Sequence, residues 1–125
     1  MGRVILIVED DPKNLKLIRD LLQIRGYTTL EATDGKQGVD IARTKMPDLI
    51  LMDIQMPVMD GLEATSILKA DPVTKSITIV ALTAFAMQGD REKCIEAGFN
   101  DYITKPLDTR TFMTKIKEYL EKLGE

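Results

Sequence analysis

Arg3-Val-Ile-Leu-Ile-Val-Glu-Asp-Asp-Pro12 holds an unbroken apolar run, Val4 to Val8, that stops at two carboxylates and passes into Asp11-Pro12. A run without polar alternation predicts a strand covered on both faces, the habit of parallel sheets. Aspartate followed by proline reads as a helix N-cap with proline at the first helical position. The stretch therefore reads as strand, carboxylates, helix.

Working outward, the same order recurs. Short apolar runs at 3–8, 28–31, 48–52, 77–82 and 101–104 alternate with longer amphipathic stretches. Leu15, Ile18 and Leu22 form an i, i+3, i+7 stripe, and Gly26 follows as a stop signal. Ile67 and Leu68 anchor a short third helix that ends by Asp71-Pro72. Phe112, Ile116, Tyr119, Leu120 and Leu123 give a last helix with one broad apolar face, started by Asp108 or Thr109. Alternating βα units predict a doubly wound α/β fold, (βα)₅, with right-handed crossovers. The connections are too short for a second domain, so residues 1–125 are expected to form one, and Leu120-Glu-Lys-Leu-Gly-Glu125 reads as a natural end.

Composition narrows the chemistry. With 125 residues, 44% of them hydrophobic, the chain can bury a core without disulfide or structural metal. The single cysteine excludes an internal disulfide, and the absence of histidine excludes zinc-site spacing, Ser-His and Cys-His pairs, and a phosphohistidine role for this chain. A net charge of −3 argues against a nucleic-acid binder, since phosphate contacts need a basic surface. No apolar run is long enough for a membrane span or a signal peptide, so a soluble, cytoplasmic protein is expected. Catalysis is left to carboxylates, hydroxyls, lysines or a hard metal ion.

In open α/β sheets the functional crevice lies at the carboxyl ends of the strands. The first strand ends in Glu9-Asp10-Asp11, the third in Asp53, the fourth in Thr83 and the fifth in Thr104-Lys105-Pro106. Asp11 reads as a helix cap. Glu9 and Asp10 repel each other unless a cation lies between them, and Mg²⁺ takes one or two carboxylates plus waters and phosphate oxygens. Asp53, facing Asp10, adds another carboxylate. Lys105 neutralises the cluster, either as a structural ion pair or as a phosphate ligand. Thr83 is either an ordinary β-branched strand residue or a hydroxyl aimed into the crevice, where small Ala84 leaves room. Pro106 restricts Lys105 to extended geometry. Acids, a lysine and a hydroxyl without histidine suit phosphoryl chemistry, in which a carboxylate attacks.

Ile5-Leu-Ile-Val-Glu-Asp-Asp11, Leu49-Ile-Leu-Met-Asp-Ile-Gln-Met-Pro57 with Met59-Asp-Gly61, Ala81-Leu-Thr-Ala84 and Asp101-Tyr-Ile-Thr-Lys-Pro106 together resemble a response-regulator receiver domain, end to end, with no output domain. Thr83-Ala-Phe-Ala-Met87 with Gly89-Asp90 resembles, more loosely, the stand-alone receivers of the bacterial cell-division, DivK-like kind. The resemblance implies a CheY-like sheet of order 2-1-3-4-5. It implies phosphorylation of Asp53 by a phosphohistidine on a sensor histidine kinase or phosphotransfer protein. It implies Mg²⁺, with Mn²⁺ as a substitute, bound by Asp10 directly, Glu9 mainly through water, Asp53, and the backbone carbonyl of Gln55. Thr83 and Lys105 would contact the phosphoryl oxygens, and the Lys105-Pro106 bond would be cis. Tyr102 would be the switch aromatic that turns inward as Thr83 moves; its other reading is an ordinary strand aromatic. The output would act on a downstream protein in trans, with neither nucleic acid nor membrane as partner, and the protein would be a switch without conventional enzymatic turnover. Leu15 and Leu107, beside the crevice, are candidate kinase-docking residues, although both also read as core, Leu15 more so than Leu107.

Rival classes leave different marks. A haloacid-dehalogenase-type phosphatase carries Asp-x-Asp after its first strand, whereas here Ile54-Gln55 follows Asp53 on the third. A flavin carrier needs a hydroxyl- and glycine-rich loop where Glu9-Asp10-Asp11 would repel phosphate. An inert interaction module would not need the acids, Thr83 and Lys105.

Overall fold

The computed structural model describes residues 3–84 and 88–124. The apolar runs form β1 (Val4–Val8), β2 (Thr28–Ala32), β3 (Leu49–Asp53), β4 (Thr78–Thr83) and β5 (Asp101–Thr104). Between and after them lie α1 (Pro12–Ile24), α2 (Gly35–Lys45), α3 (Gly61–Ala70), α4 (Gln88–Ala97) and α5 (Thr109–Gly124). All strand pairs are parallel, in the order β2-β1-β3-β4-β5. Such a sheet needs helices on both faces, because parallel strands are joined by crossovers that lie over the sheet.

Side chains alternate across the strands and divide the core in two. Leu6, Val8, Ile50, Met52, Ile79 and Ala81 face Val39 and Ala42 of α2, Ala64 and Leu68 of α3, and Cys94 of α4. Ile5, Ile7, Leu49, Leu51, Val80 and Leu82 face Ile18 and Leu22 of α1 and Phe112, Ile116 and Leu120 of α5. β1 and β3 are both central, which is why their sequences lack polar alternation.

Helix ends follow local chemistry. Asp11 caps α1, its carboxylate accepting from the Lys13 amide, with Pro12 in the first turn and Gly26 beyond the end at φ 88°. Asp108 settles the start of α5: its Oδ1 accepts from the Thr111 amide at 3.0 Å, which makes Thr109 the first helical residue. α3 ends at Ala70, with Asp71 as its cap, just before Pro72. β4 begins at Thr78 because the Ile77 amide is used in a turn to Thr74 O. Among the described residues no helix is long and apolar enough to cross a membrane. Phe85, Ala86 and Met87 of the stretch that resembles the DivK-like receivers, and the side chain of Leu123, lie outside the described residues.

Candidate active site

The sheet order puts β1 beside β3, so the ends of these strands, which carry Glu9 and Asp53, become neighbours. One carboxylate oxygen from each of Glu9, Asp10 and Asp53 lies within 4.8 Å of the others. Glu9 and Asp53 are buried and Asp10 is exposed. Lys105, just beyond β5, reaches across: its Nζ donates to Glu9 Oε1 at 2.7 Å and to Asp53 Oδ2 at 3.2 Å. Glu9 Oε2 accepts the Asp11 amide at 3.3 Å, and Asp53 Oδ1 accepts the Gln55 amide at 3.3 Å.

Burial pushes the Glu9 carboxyl above the ordinary glutamate range, and the adjoining Asp53 adds to this while Lys105 opposes it. Burial alone pulls Lys105 down, but the carboxylates of Glu9 and Asp53 outweigh it and hold the ammonium above its ordinary value. Three carboxyl groups, two buried and one exposed, thus share one ammonium. An all-oxygen donor set with excess negative charge suits a hard divalent cation, the kind that keeps several waters and takes one or two carboxylates. The residues present fit Mg²⁺.

Beside this cluster lies a cleft of about 100 Å³ lined by Asp53, Ile54, Gln55, Thr83, Ala84 and Lys105. Thr83, at the last position of β4, is 4% exposed, and its carbonyl accepts the Lys105 amide at 2.6 Å. The Lys105-Pro106 peptide bond is cis. The structure therefore gathers Glu9, Asp10, Asp53, Gln55, Thr83 and Lys105 at one edge. Tyr102 stands apart from it. It pairs in register with Ala81, two positions before Thr83, and lines a separate hollow with Cys94, Phe99 and Asp101. Leu15 and Leu107 are half-buried against the α1–α5 side of the core.

Sequence reasoning missed what holds the loop after β3. Val58 is in the left-handed region at φ 67°, and the Met59 amide donates to Pro57 O at 2.7 Å in a tight three-residue turn. The Gly61 amide donates to Ile54 O at 2.8 Å, and a Cβ on Gly61 would collide with the Asp53 carbonyl. The Asp60-Gly61 pair was the available signal, since Asp-Gly dipeptides mark turns and loops.

The response regulator receiver domain family matches residues 5–117. The polar-differentiation response regulator DivK of Brucella anthropi is 46% identical over 120 residues, 96% of this chain and 98% of its own length. DivK of Brucella abortus strain 2308 matches to the same extent. Among solved structures, the receiver domain of the sensor histidine kinase PA1611 of Pseudomonas aeruginosa PAO1 superposes with a TM-score of 0.90 at 40% identity, covering 97% of this chain and 99% of that one. That domain has a magnesium ion coordinated in its active-site cleft. A receiver domain of a histidine kinase from Syntrophus aciditrophicus gives 0.90 at 32% identity, covering 97% and 92%. Family match, near-complete coverage and the acidic edge of a 2-1-3-4-5 sheet agree: the chain belongs to the response regulator receiver domains of two-component systems.

Proposed function

We propose that this receiver accepts a phosphoryl group on Asp53 and signals by a change of surface. The observation that carries the reading is the meeting of Glu9, Asp10 and Asp53 oxygens within 4.8 Å beneath the Lys105 ammonium. A carboxylate oxygen of Asp53 attacks phosphorus in line; a P–O bond forms as the P–N bond of a donor phosphoimidazole breaks, and the imidazole leaves with the bonding pair. Lys105 is charged and within reach of the acceptor, so it balances the transferred oxygens. Asp10 and Asp53, with the Gln55 carbonyl and with Glu9 mainly through water, would hold Mg²⁺ or its substitute Mn²⁺, which would supply positive charge against the phosphoryl oxygens. Thr83 lines the same cleft as Asp53 and contacts the phosphoryl group there, and positioning provides most of the acceleration.

The donor is a phosphohistidine on a sensor histidine kinase or phosphotransfer protein, docking near Leu15 and Leu107, and the output is a protein acted on in trans. Likeness to the polar-differentiation regulators supports that mode of output. The absence of a membrane-length helix among the described residues and the presence of only one cysteine, itself buried, support a cytoplasmic location. Tyr102 shares the sheet face of Thr83 and is the group that would register its movement. Intact-mass spectrometry after incubation with a small-molecule acyl phosphate tests the reading: one added phosphoryl group that requires Mg²⁺ is expected, and an unchanged mass overturns it.

A further inference from the structure

We infer that the start of α2 braces the loop after β3 and that Gly35 is the positioning residue of that brace. The amide of Gly35 donates to Met59 O at 3.0 Å, although the two residues belong to different βα units. A Cβ on Gly35 would collide with that same carbonyl and lie 3.1 Å from Asp60 O. Gly35 is thus the residue type that lets the helix start approach closely enough for the hydrogen bond.

Residues 54–60 carry the Gln55 carbonyl and leave directly from Asp53. At the inner end the Gly61 amide holds Ile54 O at 2.8 Å. At the outer end Val58 sits at φ 67°, a conformation a β-branched side chain disfavours, with that side chain 81% exposed and unable to provide packing in return. Within the loop the turn is closed by the Met59 amide bonding Pro57 O at 2.7 Å, and a carbonyl of that turn takes further support from outside. Gly35 supplies it one residue later, at Met59. Gly35 in turn is fixed because Asp34 caps α2, its Oδ1 accepting the Gln37 amide at 2.9 Å and its Oδ2 accepting from the Gln37 side chain at 3.2 Å. The chain of contacts runs from Asp34 through Gly35 and Met59 to the loop that presents Gln55.

For its functional consequence the inference rests on Gln55 helping to hold Mg²⁺, as proposed above. Two substitutions on one helix separate positioning from general stability. Gly35→Ala pushes on the Met59 backbone, whereas Gly38→Ala meets Val8 Cγ2, the end of a side chain, at 3.0 Å. Gly35→Ala is expected to shift the amide resonances of Ile54, Gln55, Met59 and Gly61. It should also raise the Mg²⁺ concentration for half-saturation by roughly tenfold, the loss that a displaced outer partner brings to a metal site. Gly38→Ala should lower thermal stability yet leave those resonances and the Mg²⁺ midpoint in place. The brace is wrong if the two variants move the same resonances, or if Gly35→Ala leaves residues 54–61 unshifted. A wild type that ignores Mg²⁺ would defeat the metal reading, and the amide shifts would still decide the brace. Should Gly35→Ala not fold, Asp34→Ala loosens the same helix start without a new clash: shifts at Met59 and Gln55, restored by Asp34→Asn, support the brace, and their absence overturns it.

Discussion

Lys105 Nζ stands 2.7 Å from Glu9 Oε1 but 3.2 Å from Asp53 Oδ2. The lysine therefore rests mainly on the wholly buried glutamate and only partly on Asp53. Such a partner holds the ammonium while leaving Asp53 only partly engaged. On the proposed function, a phosphoryl group on Asp53 would draw Lys105 toward it, and the fourth strand would feel the shift because the Lys105 amide is bonded to Thr83 O at 2.6 Å.

Replacing Asp53, the proposed acceptor, separates chemistry from fold. Asp53→Asn keeps the shape of the side chain and removes its charge, so the sheet edge should remain folded, by circular dichroism, while acid-labile labelling disappears. Equal mass gain in wild type and variant would show that another residue accepts the phosphoryl group.

Metal affinity should depend on the acids unequally. Asp10 is the exposed carboxylate of the cluster, whereas Glu9 is already engaged by Lys105 and the Asp11 amide. Outer partners of metal sites are worth about 10–100-fold in affinity. Asp10→Ala, which removes the proposed direct ligand, should lie at or above the top of that range, and Glu9→Ala toward the bottom. Without Mg²⁺, Asp10→Ala should raise the melting temperature, since one member of a like-charged group is gone. Titrations followed by amide shifts check both, and unchanged binding in Asp10→Ala contradicts the crevice reading.

Thr83 should transmit more than it catalyses. Losing its hydroxyl forfeits a hydrogen bond worth about 1–3 kcal/mol next to a charge, enough to change the balance of a two-state domain. Thr83→Ala is expected to accept the phosphoryl group, yet show smaller amide shifts across β4, β5 and α5 with a phosphoryl mimic. Shifts as large as in wild type would refute the relay from Asp53 through Thr83 to Tyr102.

Alkaline pH should weaken the attachment of α5. Tyr119 Oη donates to Asp101 Oδ2 at 2.6 Å. Burial, then that hydrogen bond and the carboxylate charge, raise the phenol above its ordinary value. A folded pKa above the unfolded value means the protonated phenol is favoured by folding, so its contribution is complete below about pH 10 and declines above it. In urea titrations Tyr119→Phe should cost about 1–2 kcal/mol near neutrality. That gap should narrow as pH rises beyond 10, and a gap that stays constant to pH 11 would be evidence against the linkage.

The fold was legible because its signals are local. The run Val4 to Val8 has no polar alternation, and such a strand must be covered on both faces whatever surrounds it. Asp11 before Pro12 starts a helix by hydrogen bonding and ring geometry alone. The candidate site was legible for a related reason: each polar residue stands where an apolar run ends, and a parallel sheet brings those ends to one edge.

What the sequence by itself determined was therefore which residues share the edge: Glu9, Asp10, Asp53, Thr83 and Lys105. Tertiary structure alone decided how they pair and what holds them. Whether Lys105 favours Glu9 or Asp53 depends on differences of a few tenths of an ångström among groups 44 to 96 positions apart. Tyr102 occupies its own hollow rather than the cleft because register pairs it with Ala81, and residue order does not encode register between strands. Gly35 and Met59 meet only after two βα units pack side by side. A glycine's purpose in such a contact is the space it leaves, and that space exists only once the neighbouring backbone is in place.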